Sequence, residues 1–298
     1  MENFADRLLD AIDRKGAPVC VGIDPNFDYL PDELRRDSDA SGQLQTIRSF
    51  CEDVLRIVEP HVPAVKPQSA YFEAYGSQGV EAYYDVVRKA RELGLLVIGD
   101  VKRQDIGSTA SAYASGHLAD TNAPDAVTVG SYLGADGIAP FIDIARQTTR
   151  GLFVLVRTSN PSARQVQDIT DADGKMVYEH VAELVAMLGS EDELIGARGY
   201  SAVGAVVGAT YPDEARKLRR MMPRQVFLVP GYGAQGATAA DCMASFNDDG
   251  TGAIVNASRS VIYAHRRRQY ADLPWRQAVE SAVKDFARDI RSAIDSKR

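Results

Sequence analysis

Eight short apolar runs, the first six each followed by a stretch with the spacing of an amphipathic helix, constrain this 298-residue chain more than any other feature. The runs span residues 18–24, 64–68, 95–102, 126–131, 152–156, 202–207, 226–230 and 253–256. Most lack the polar alternation of a half-wet strand, which is the pattern of strands covered on both faces in a parallel sheet. Helical periodicity over 41–58, 80–93, 108–120, 138–149, 176–188 and 212–221 fills the intervals. Strand and helix alternating without a Pro/Ser-rich linker predict one (β/α)8 TIM barrel over residues 1–298 as a single domain. Strand count does not prove closure, so a doubly wound sheet is the second arrangement.

Two further helices are expected outside the repeat. Phe4, Leu8, Leu9 and Ile12 share one face of an N-terminal helix, expected to lie across the closed end of the barrel. Ala282, Phe286, Ile290 and Ile294 do the same in a C-terminal helix. A chain with 45% hydrophobic residues is long enough to bury a large core. Its net charge of −7 argues against general affinity for nucleic acid or for anionic membranes. Cys20, Cys51 and Cys242 are odd in number and without C-x-x-C spacing, and His61, His117, His180 and His265 are scattered. Neither a disulfide framework nor a histidine metal site is expected, and the setting is a reducing cytoplasm. With acidic residues early and no apolar h-region, no secretory leader is expected, and no apolar run reaches membrane-spanning length.

The stretch 95–109, LLVIGDVKRQDIGST, is a buried strand that ends in alternating charge. Side chains of a strand alternate, so Ile98, Asp100 and Lys102 share a face, and Asp105 follows in the next turn. Taken alone, Asp-x-Lys at a strand end is an ordinary exposed ion pair worth little. Asp105 restores the alternation of sign, however, and Gly107-Ser108-Thr109 opens a helix with Ser108 as its expected N-cap. In α/β proteins the carboxyl ends of the strands are where ligands bind. Three other strand ends carry polar residues: Asp24 before Pro25, Lys66 before Pro67, and the run Arg157-Thr158-Ser159-Asn160. The polar segment 160–174 reads either as a mobile lid or as a long surface loop.

After the seventh strand comes Gly231-Tyr232-Gly233-Ala234-Gln235-Gly236, and after the eighth Ala257-Ser258-Arg259. Glycines let main-chain amides approach an anion, and arginine offers a bidentate clamp, so these loops predict a phosphate cradle. The run 265–268, His-Arg-Arg-Arg, reads as solvated charge.

D-x-K-x-x-D-I followed by G-S-T resembles the signature of orotidine 5'-phosphate decarboxylases, in the longer bacterial branch of that family. The resemblance extends from Asp24 to Arg259, with every motif in order. It implies a carboxy-lyase that converts orotidine 5'-monophosphate to uridine 5'-monophosphate at the last step of de novo pyrimidine synthesis, with no cofactor and no metal. It makes Lys66, Asp100, Lys102 and Asp105 a charged catalytic tetrad. It further implies a homodimer with shared sites, in which Asp105 and Thr109 are supplied by the partner. Asp24 would hold a ribose hydroxyl, Ser159 the pyrimidine edge, and Gln235 and Arg259 the phosphate. Gln104 departs from the pattern, which usually has glycine there, and puts the local loop conformation in question.

Three other functions fit parts of the pattern. Sugar-phosphate enzymes of the same superfamily, such as hexulose-phosphate synthases and keto-gulonate-phosphate decarboxylases, use the same carboxylates with Mg²⁺ and a glutamate where this chain has Lys66. A Schiff-base aldolase would use Lys102 as its nucleophile. A non-catalytic barrel would only bind nucleotides.

Overall fold

The computed structural model describes residues 2–35, 39–233 and 236–297. Eight parallel strands, β1 (Val19–Ile23), β2 (Ala64–Pro67), β3 (Leu96–Arg103), β4 (Ala126–Val129), β5 (Gly151–Arg157), β6 (Ser201–Val207), β7 (Gln225–Pro230) and β8 (Ala253–Ala257), pair in sequence order. β8 pairs back onto β1, with Cys20 opposite Asn256, and this closes the barrel. Closure settles the choice between the two arrangements: no strand edge is left over.

The period of two divides each strand between two cores. Cys20, Ala64, Ile98, Ala126, Phe153, Leu228 and Ile254 point inward and pack together inside the barrel. Val19, Val21, Val65, Val97, Val127 and Val154 point outward into the layer beneath the helices. Both faces are dry, which is why the runs read as continuously apolar.

The N-terminal helix Phe4–Lys15 seals the lower end. Asn3 caps it by accepting the Ala5 N–H at 2.7 Å, and Gly16, at φ 72°, ends it in the left-handed region. The Phe4 ring meets Phe153 edge-on at 5.9 Å between centroids. It occupies the space above Gly151, where a Cβ would lie 2.1 Å from the ring. The buried Asp6 carboxylate accepts the N–H groups of Ala197 and Arg198 at 2.8 and 2.9 Å, tying the helix to the chain before β6. The final helix, Trp275–Lys297, buries Ala282, Phe286, Ile290 and Ile294 against the outer core, as its spacing predicts. No helix among the described residues is long and apolar enough to cross a membrane.

One local expectation needs correction. The helix after β3 runs Gly107–Leu118, so Ser108 lies in its first turn and Ile106 occupies the cap position without a side-chain cap bond. Gly107 adopts φ 52°, a conformation that brings the helix start one residue forward at little cost only for glycine. The segment 160–174, expected as a lid or a long surface loop, carries a 3-10 turn Pro161–Ala163, a short helix Arg164–Gln167 and a bridge between Thr170 and Met176.

Because Phe4 fills the barrel floor at 2% exposure, Phe4→Ala should cost about 3–5 kcal/mol of unfolding free energy. Urea denaturation measures this; a loss under about 1 kcal/mol would show that the helix does not seal the core.

Candidate active site

Above the apolar interior, the next inward positions of β2, β3 and β4 carry Lys66, Asp100 and Thr128. Asp100 is 5% exposed and accepts hydrogen bonds from four side chains. Lys66 Nζ and Gln68 Nε2 reach Oδ2 at 2.6 and 2.8 Å. Thr128 Oγ1 donates to Oδ1 at 2.9 Å, and Lys102 Nζ pairs with the same oxygen. Lys102 lies two residues beyond Asp100 on the same strand, which is why alternation brings the two together.

Burial alone would raise the Asp100 pKa. The two ammonium groups and their hydrogen bonds overcome it and hold the carboxyl well below the usual carboxylate range. Burial likewise acts to lower the Lys66 pKa, but Asp100 and Asp24 overcome it and raise the group above an ordinary lysine. The Lys66–Asp100 pair is therefore fixed in its charged form. The two lysines differ in access: the Lys66 side chain is 8% exposed and that of Lys102 46%. Lys66 is a static partner, whereas Lys102 reaches the open cavity.

That cavity, of about 430 Å3, opens over the strand ends. Leu155, Val206 and Leu228 form an apolar wall. Asp24, Asn256 and Ser258 face it from the β1 and β8 side, and Asp24 Oδ1, Asn256 Oδ1 and Ser258 Oγ are buried without a hydrogen-bond partner. Unsatisfied buried oxygens lining a cavity are groups arranged for a ligand. Gly22 makes this corner possible, since a Cβ there would meet Ser258 Cβ at 2.7 Å. Ser159 and Asn160 enter from the end of β5, and Arg259 stands exposed at the rim. Arg259 also borders an adjoining groove with Arg266 and Arg267, so positive charge collects at that edge.

The β5 end is held by Arg157, which is fully buried. Its guanidinium meets Glu214 at 2.5 Å and Asp168 at 2.7 Å and lies over the rings of Tyr178 and Tyr211. Gln167 Oε1 accepts from Arg157 and from the Thr158 main-chain N–H at 3.1 Å, binding the segment after β5 back to the strand.

Of the positions singled out in the sequence, Asp24, Lys66, Asp100, Lys102, Ser159 and Arg259 line one cavity. Asp105 and Thr109 do not. Asp105 accepts the Ile106 N–H at 2.8 Å, and Thr109 is exposed on the first turn of the following helix. Gln235 lies outside the described residues. Gln104 rests over Gly130, where a Cβ would come within 2.1 Å of its Oε1, so a glycine makes room for the departure. Gln68, Thr128 and Asn256 were missed by sequence reasoning. The signal was there: each lies two residues beyond an inward-facing residue of its strand, but a neutral polar side chain at a strand end has no distinctive pattern.

The chain matches the Orotidine 5'-phosphate decarboxylase / HUMPS family over residues 17–272. It is 42% identical over 300 residues to an orotidine 5'-phosphate decarboxylase from Rhodopirellula baltica, covering 95% of this chain and 97% of that protein. It is 42% identical over 261 residues to one from Deinococcus radiodurans, covering 88% of this chain and 89% of the other. The structure of Leishmania donovani OMP decarboxylase superposes with a TM-score of 0.76 at 28% identity, over 98% of this chain and 99% of that one. A charged cluster at the mouth of a closed barrel and a sequence match across the strands that build it agree: this chain belongs to the orotidine 5'-phosphate decarboxylase / HUMPS family.

Proposed function

We propose that this protein decarboxylates orotidine 5'-monophosphate to uridine 5'-monophosphate and CO₂, with Lys102 as the proton donor. The observation that carries this reading is Asp100 clamped between Lys66 and Lys102 at an open cavity. Loss of CO₂ breaks the bond to C6 and leaves its electron pair in an sp² orbital that the ring does not delocalise. A fixed cation at C6 stabilises that pair as it forms, and Lys102 then gives C6 a proton and regains one from solvent. Asp100, beside the substrate carboxylate, disfavours the bound substrate more than the transition state. Asp24, with an unpartnered buried oxygen, holds a ribose hydroxyl. Ser159 faces the pyrimidine edge, and Gln235 and Arg259 grip the phosphate, whose binding energy is used to organise the ring.

The chemistry asks for no metal and no cofactor. The Lys66 ammonium already stands 2.6 Å from Asp100, where a divalent cation of a sugar-phosphate relative would need a carboxylate instead. Asp105 and Thr109 act from a partner subunit in a homodimer. Support comes from their absence from their own cavity and from exposed apolar side chains nearby. Ile106 is 57% exposed, and Leu133, 40% exposed, lies beside Gly137, which the Asp105 carbonyl also approaches. Three free buried cysteines fit a cytoplasmic setting.

The direct test is an absorbance assay of orotidine 5'-monophosphate loss in excess EDTA. Turnover should persist; none, with activity restored by Mg²⁺, would favour the metal-dependent relatives.

Shared sites make a second test available. Lys102→Ala and Asp105→Asn dimers should each be nearly inactive. Co-refolded in equal amounts, half the dimers pair one of each and hold one intact site, so activity should rise to about a quarter of wild type. A dead mixture with proven subunit exchange would place Asp105 in its own subunit's chemistry.

The pH dependence follows from the ion pair. The Asp100 pKa is depressed by folding, so its stabilising contribution is present above the ordinary carboxylate value of about 3.9 and is lost as pH falls through the folded value. The Lys66 pKa is raised, so its contribution is full below about 10.4 and is lost as pH rises through the folded value. Carbon-13 NMR of the Asp100 carboxyl should accordingly show no titration between those limits, and a midpoint inside them would contradict the clamped geometry.

A further inference from the structure

Thr128 belongs to β4, is 1% exposed and faces the cavity. Its hydroxyl is bonded to two of the charged residues of β3, Asp100 and Lys102. Oγ1 donates to Asp100 Oδ1 at 2.9 Å and accepts the main-chain N–H of Lys102 at 3.0 Å. A carboxylate has no proton to give and an amide N–H only donates, so the hydroxyl is oriented in one way.

The need for such a bond arises in the sheet. β3 and β4 pair Gly99 with Val127 and next Arg103 with Val129, so four residues of β3 advance against two of β4. The extra length bulges out of the ladder, and a bulge re-aims the side chains it carries. Lys102 sits in this bulge at φ 44°, one of two non-glycine residues with positive φ among the described residues. A residue with a Cβ stays in that region only where its surroundings hold it. The Lys102 N–H, displaced from the strand ladder, finds the threonine hydroxyl. The same turn directs Lys102 Nζ back to the Asp100 oxygen that Thr128 also holds.

We propose that Thr128 is a positioning residue for decarboxylation: its one hydroxyl fixes the left-handed backbone at Lys102 and the near oxygen of Asp100, and thereby aims the ammonium at the reacting carbon. This rests on the reading of Lys102 as the proton donor. Thr128 itself neither gives nor takes a proton in the reaction.

Thr128→Val deletes the hydroxyl at nearly constant shape, and Thr128→Ser keeps it; Thr128→Ala replaces the valine variant if that one does not fold. The measurements are kcat, KM, the Kd of uridine 5'-monophosphate, the thermal midpoint and a crystal structure. The valine variant should lose about 10²-fold in kcat, the cost of a small misplacement of a reacting group. Its KM and product affinity should stay within about threefold of wild type, because the phosphate and ribose contacts lie elsewhere. Serine should restore most of kcat, and the Lys102 φ should turn negative in the valine variant alone. The proposal is overturned by near wild-type kcat in the valine variant. It is equally overturned if kcat, product affinity and thermal midpoint fall together, since the hydroxyl is then only structural. Should wild-type protein fail to turn over orotidine 5'-monophosphate, the decarboxylase reading fails instead, and a Lys102 φ still near its wild-type value in the valine variant would then sink the positioning claim by itself.

Discussion

A carboxylate buried between two ammonium groups is the interaction on which the rest of this structure depends. Removing Asp100 from water is costly, and the cost is offset only while Lys66 and Lys102 remain close and its oxygens are fully hydrogen-bonded. A buried ion pair of this kind adds little net stability over an apolar core of the same volume. Its value lies in fixed charge. The barrel supplies the rigidity that keeps three charges in contact, and beneath them the interior stays uncharged. Burial pushes the Cys20 thiol up to about 12, so this group of the inner layer stays a neutral thiol.

Around that cluster, the walls are made by close approach. Gly22 lets β1 lie against Ser258, Gly208 leaves room for Ser159, and Gly130 accommodates Gln104. In each case a Cβ would press on a side chain that borders the site or the β3 turn. Arg157 holds the β5 side through Glu214, Asp168 and two tyrosine rings, making the segment after that strand part of the scaffold. The fixed groups are thus Lys66, Asp100 and the strand-end residues. Arg259, exposed at the rim, is the one with room to follow a ligand as it enters.

Much of this arrangement was legible in the amino-acid order. Eight apolar runs predicted eight strands, with ends within a few residues of those observed, because two dry faces leave a strong pattern. The terminal helices were legible from four-residue spacing at Phe4 to Ile12 and Ala282 to Ile294. Charges at strand ends stand out in the same way, and Asp24, Lys66, Asp100 and Lys102 were found by alternation and by family resemblance. The cap at Ser108 was misplaced because glycine at 107 permits a backbone that a capping rule does not foresee.

The sequence by itself determined the period of the strands, the inward set of residues and the charges available at one end of the barrel. Only the tertiary structure decided closure, since β8 meeting β1 is a contact between residues more than two hundred positions apart. It alone showed that Gln68 and Thr128 complete the ligation of Asp100, because a neutral polar residue acquires its role from whatever the neighbouring strand brings opposite it. The left-handed turn at Lys102 was equally invisible, for it arises from a mismatch in length between β3 and β4 and from no property of lysine. Local sequence sets which atoms can bond; register across the sheet sets which of them meet.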